Sequence, residues 1–70
     1  MRFTVEVVSV PDREEVVAEI WWGDAMVAEL HRGISGGAAI EIYSTQSHDP
    51  WSFDLATWLN ALQEAQSKLS

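Results

Sequence analysis

Seventy residues with no cysteine are read as one domain, 1–70, near the lower size at which a core holds a chain folded without covalent staples. The lack of cysteine excludes a disulfide framework and any thiolate-bound zinc or iron–sulfur site, and it fits a reducing compartment. Eleven acidic residues against four basic ones give a net charge of −7, which argues against nucleic acid or an anionic membrane as partner, because both require Lys and Arg to neutralise phosphate. A basic protein surface is the natural complement. A hydrophobic content of 47% with four tryptophans is too high for a disordered chain. The apolar runs are too short to span a bilayer, and Glu6 interrupts the apolar segment a signal peptide would need, so a cytoplasmic location is the expectation.

Residues 2 to 10 alternate, with Phe3, Val5 and Val7 on one face and Thr4, Glu6 and Val8 on the other, the period of a half-buried strand. Pro11 lacks an amide donor and Asp12 favours local turns, so residues 11 to 14 break the strand. The next strand, Glu15 to Trp22, carries Val16, Ala18, Ile20 and Trp22 inward and Val17, Glu19 and Trp21 outward. A four-residue loop pairs Val10 with Glu15, which sets Glu6 opposite Glu19 and Thr4 opposite Trp21.

Gly23 and Asp24 mark the second turn. A three-residue loop, Gly23 to Ala25, keeps Met26, Ala28 and Leu30 inside and places Glu29 opposite Glu19, whereas a two-residue loop would turn Glu29 towards the core. Gly33 to Gly37 reads as a loop, and Ala38 to Tyr43 as a fourth strand with Ala38, Ile40 and Ile42 inward and Glu41 and Tyr43 outward. Beyond a polar stretch, Ser44 to Pro50, the period changes: Leu55, Trp58, Leu59, Leu62, Ala65 and Leu69 form the stripe of an amphipathic helix. Asp54 is its expected N-cap, Phe53 and Trp58 its hydrophobic staple, and Glu64 with Lys68 an i, i+4 pair. The predicted fold is α+β, a four-stranded antiparallel meander with one C-terminal helix on one face, ββββα.

One helix covers one face of such a sheet. The other face carries Glu6, Glu19, Glu29 and Glu41 in a row, beside Val8, Val17, Trp21, Val27 and Tyr43. Like charges directly opposite each other destabilise a sheet, so a basic partner would relieve the row. Trp21 and Tyr43 belong to the residue types that anchor interfaces. The expected partner-binding set is therefore Glu6, Glu19, Trp21, Glu29, Glu41 and Tyr43. Trp51, just before the helix, either closes the end of the core or stands as an exposed anchor.

No catalytic residue, metal site or cofactor is expected. His31, His48 and Asp49 match no metal-ligand spacing. Gly33 to Gly37 precedes a strand rather than a helix, so it does not cradle phosphate, and no serine lies in a nucleophile elbow. The run Ile40-Glu41-Ile42-Tyr43, a short polar loop, and Trp51-Ser52-Phe53-Asp54-Leu55 leading into Trp58-Leu59-Asn60-Ala61-Leu62-Gln63-Glu64-Ala65 resembles the C-terminal half of small bacterial proteins of the toxin-immunity kind and their uncharacterised relatives. The resemblance implies a small acidic inhibitor whose carboxylates occupy the basic site of a nuclease or other nucleic-acid-binding protein. Phage-encoded anti-CRISPR proteins are similar in size and acidity. The expectation is thus a non-enzymatic, acidic protein-binding module. The alternative is a homo-oligomer, in its simplest form a homodimer, joined through the apolar residues of the open sheet face, at the cost of enclosing the glutamates.

Overall fold

The computed structural model describes residues 2–10, 15–33 and 36–69. Four antiparallel strands form a single sheet in the order β1-β2-β3-β4, with β1 Phe3–Val10, β2 Glu15–Trp22, β3 Ala25–Arg32 and β4 Ala38–Ile42, followed by the helix α1 Leu55–Leu69. The ββββα architecture read from residue patterns is the one adopted. The turn expected at 11 to 14 lies outside the described residues, as do Ile34 and Ser35. The β1–β2 register nonetheless pairs Val10 with Glu15, Glu6 with Glu19 and Thr4 with Trp21, as alternation dictates.

The second turn corrects the expectation. Trp22 pairs with Ala25, so the connection is the two residues Gly23 and Asp24 rather than three. Gly23 has φ 62°. A positive φ at the first central position alone is the pattern of a type II′ hairpin turn, which glycine adopts without a Cβ clash. The register then shifts between Ile20 and Trp21: Trp21 faces Met26 while Ile20 faces Ala28, which leaves Val27 as the extra residue of a β-bulge. The bulge restores the pairing of Glu19 with Glu29. It also exchanges two side chains relative to the expectation. Met26 pairs with Trp21 instead of pointing at the helix, and Val27, expected on the glutamate face, is 1% exposed and belongs to the helix-side core.

That core comprises Val5, Ala18, Ile20, Val27, Ala28 and Leu30 from the sheet and Ala61 and Ala65 from α1. Phe3, Trp22, Phe53 and Trp58 extend it as an aromatic cluster, with Phe3 and Trp22 ring centroids 4.8 Å apart and Phe3 and Phe53 4.7 Å apart. Such tilted and edge-on contacts add to burial because ring faces are electron-rich and edges electron-poor. The helix start is built as its sequence dictates. Asp54 Oδ2 accepts from the Thr57 amide at 3.1 Å and from the Thr57 hydroxyl at 2.9 Å, and these two bonds hold its carboxyl below the usual range. Phe53 and Trp58 stack at 5.7 Å as the staple, and Lys68 Nζ lies 3.0 Å from Glu64 Oε2.

The helix is not centred on the sheet. It packs across β1 and β2 and more thinly on β3. Ile40 and Ile42, expected in the core, are 43% and 62% exposed, and Val7 is 42% exposed. On the helix, Leu55 and Leu59, expected in the buried stripe, are 68% and 48% exposed, while Ala61 and Ala65 are enclosed. The small alanines set the contact, because they let the helix backbone approach the sheet closely. The helix is thereby rotated so that Leu55 and Leu59 lie beside the core rather than in it.

Candidate functional site: an acidic sheet face

The glutamates come together as the strand pattern requires. Glu6 is paired with Glu19, Glu19 with Glu29 and Glu29 with Glu41, so one row crosses all four strands. Neighbouring strands are about 4.8 Å apart, and each adjacent pair of carboxylates repels by on the order of 1 kcal/mol in water. Glu6 and Glu41 at the ends are exposed, and the central Glu19 and Glu29 are half-buried.

Aromatic donors fix the two central carboxylates. The Trp21 indole Nε1 donates to Glu19 Oε1 at 3.1 Å. The Tyr43 hydroxyl, one position beyond β4, donates to Glu29 Oε2 at 2.7 Å. Tyr43 is held there because its amide continues the ladder, donating to the Val27 carbonyl at 2.8 Å. The bond to Glu29, burial of the ring, and the charges of Glu29, Glu41 and Glu19 together raise the Tyr43 phenol to about 12. At the outer end, His31 Nε2 lies 3.5 Å from Glu41 Oε1.

All six residues expected at a binding site thus share one face, and four of them are joined in two hydrogen-bonded pairs. Two features of this face were not legible in the sequence. Beside Glu6 and Trp21 is a shallow depression of about 270 Å³, lined also by Thr4 and Gly23. It exists because the tight Gly23 turn ends the sheet just past Trp21. At the other end of the face Val17, paired with Val8, is only 2% exposed.

Among the described residues no group of three or more His, Asp or Glu could hold a metal ion, and no helix is long and apolar enough to cross a membrane. Trp51 closes the core rather than standing free: its indole donates to the Tyr43 carbonyl at 2.7 Å and its ring stacks on Phe53 at 5.4 Å. No protein-family model, curated protein or solved structure matches the chain.

Proposed function

We propose that this chain is a small non-enzymatic inhibitor that covers a basic surface on a partner protein, of the kind with which nucleases and other nucleic-acid-binding proteins hold phosphate. The observation that carries the reading is the four-glutamate row in direct cross-strand register with Trp21 and Tyr43 locked into it. A row of like charges costs stability in the free protein, and an array of Lys and Arg converts that cost into binding energy. The aromatic bonds orient Glu19 and Glu29 in advance, which reduces the side-chain entropy lost on association. Glu6 and Glu41 are exposed at the ends of the row and can make new charge-assisted bonds, Glu41 with His31 beside it.

The depression beside Glu6 and Trp21 suits an arginine side chain. Its guanidinium can meet the Glu6 carboxylate while stacking on the Trp21 ring, a combination lysine cannot reproduce. Complementary charge would speed encounter and select the partner.

An arginine-rich peptide serves as probe. Binding should weaken steeply with added salt, and Glu19→Lys combined with Glu29→Lys should weaken it at least tenfold, about 1.4 kcal/mol, with far-UV circular dichroism unchanged. Equal binding by the folded double variant would sink the proposal.

A further inference from the structure

On the side of the molecule opposite the glutamates, α1 leaves the inner face of β4 uncovered. Between them runs an apolar groove of about 380 Å³, lined by Val27, Ile42, Trp51, Phe53, Leu55 and Trp58. Ile40 on β4 and Leu59 on α1 add apolar surface to this trough, and Ile40, Ile42, Leu55 and Leu59 are 43% to 68% exposed. The uncovered strip is roughly two strand spacings, ~10 Å, wide. That is the distance at which a second helix packs beside the first.

The sequence of α1 says which helix. Its sheet-facing stripe is Trp58, Ala61, Leu62, Ala65 and Leu69. A second stripe is Leu55, Leu59, Leu62, Gln66 and Leu69, spaced four, three, four, three; Leu55 lines the groove, and Gln66 and Leu69 line a second hollow with Arg32 and Ala38. This is the spacing by which one helix pairs with another in a coiled coil, with a single polar residue on the seam. A helix that only covered its own sheet would need the first stripe alone.

Charge points to the same occupant. The chain carries −7, so two copies repel wherever their acidic residues approach. The trough side of α1 and its solvent face, Leu55, Ala56, Leu59, Asn60, Gln63, Gln66 and Ser67, are free of charge. The helix charges Glu64 and Lys68 lie on the opposite flank, where Lys68 Nζ donates to the Val5 carbonyl at 3.3 Å and guards the edge of β1.

We infer that the trough is filled by α1 of a second copy of this chain. A two-fold axis running along the helices sets α1 beside its symmetry mate in parallel, with the Leu55 and Leu59 stripes meeting across the axis and the uncharged Ala56 and Gln63 side of each helix over the other copy's Ile40 and Ile42. The contact is self-complementary, as a two-fold interface requires. A 15-residue helix is ~22 Å long, and the trough with the helix top is about 20 Å across. The pair therefore encloses on the order of 1,000 Å², the lower bound for a specific interface. The glutamate rows remain on the two outer surfaces, so this dimer neither needs nor obstructs the proposed binding face.

The absence of cysteine makes an introduced one unique. Leu59→Cys sits against its own copy across the axis and should form a covalent dimer under mild oxidation, whereas Glu64→Cys, on the far flank, should not. The unmodified chain should sediment at twice its monomer mass at about 100 µM. Leu55→Glu, which places a favourable charge in the first helical turn, and Ile42→Glu on the facing strand should each return it to monomer with the helical signal intact. A monomeric unmodified chain at that concentration, a dimer that survives both glutamate variants, or equal cross-linking through positions 59 and 64 would overturn the inference. Glu19→Lys with Glu29→Lys should leave the mass unchanged, which separates this test from that of the acidic face.

Discussion

The 2.7 Å bond between Tyr43 and Glu29 ties the aromatic and acidic parts of the face into one unit. Tyr43 is the chain's single tyrosine, so its titration can be read without ambiguity. Its folded pKa, about 12, lies above the ordinary value of 10.0, so folding favours the protonated phenol. The sign follows: the bond's contribution is whole below about pH 10 and is lost as pH rises towards about 12. The phenolate absorbance of the folded chain should therefore rise with a midpoint near 12, whereas a midpoint near 10 would mean that the bond does not persist in solution. Tyr43→Phe should cost about 1 kcal/mol in urea unfolding, since it removes one part-buried hydrogen bond and leaves the ring in place. Asp54 behaves in the opposite sense. Its carboxyl is held low by the Thr57 amide and hydroxyl, so the cap is intact at neutral pH and is lost as pH falls through the carboxylate range. Asp54→Ala should speed exchange of the Thr57 amide and loosen the Phe53–Trp58 stack.

At the scale of elements, the contact between α1 and the sheet depends on Ala61 and Ala65, which are 5% and 0% exposed. Ala65→Leu should lift the helix and cost about 1–3 kcal/mol, read as a lower urea midpoint; an unchanged midpoint would show that the helix does not press on the sheet there. Much of this level was legible beforehand. Alternation placed β1 and β2 in register, and Asp54 with Phe53 and Trp58 marked the helix start, because both signals are local. The bulge was not legible. Nothing at Val27 distinguishes it from an ordinary strand residue, and the two-residue Gly23 turn makes sense only once the bulge restores Glu29 to its place. The expected pairing of Glu19 with Glu29 was therefore reached by a different route than a three-residue loop. The lateral position of α1 was missed for another reason. Strand alternation specifies which face of a sheet is apolar but not which strands the helix covers. The alanine pair at 61 and 65 held that information, and the leucine stripe obscured it.

For the whole molecule, two surfaces of opposite character lie on opposite sides of the sheet. One face concentrates four carboxylates in register, the opposite side presents an uncharged apolar trough, and the core between them is small, with most of its large side chains only partly enclosed. The six face residues could be nominated from sequence because three strand registers carried them together. Their hydrogen bonds could not, because they depend on side-chain rotamers, which strand alternation does not specify. Four carboxylates held in register predict directional behaviour: a cationic probe should choose that face over the isolated carboxylates of the loops and helix.

Mapping the amide and indole resonances of the folded chain during titration with an arginine-rich peptide puts that choice to the test. The largest shifts should fall on Glu6, Glu19, Glu29, Glu41, the Trp21 indole N–H and Tyr43, and should fade with added salt. Shifts spread evenly over Asp24, Asp49, Asp54 and Glu64, or confined to them, would contradict the assignment of the glutamate row as the binding face.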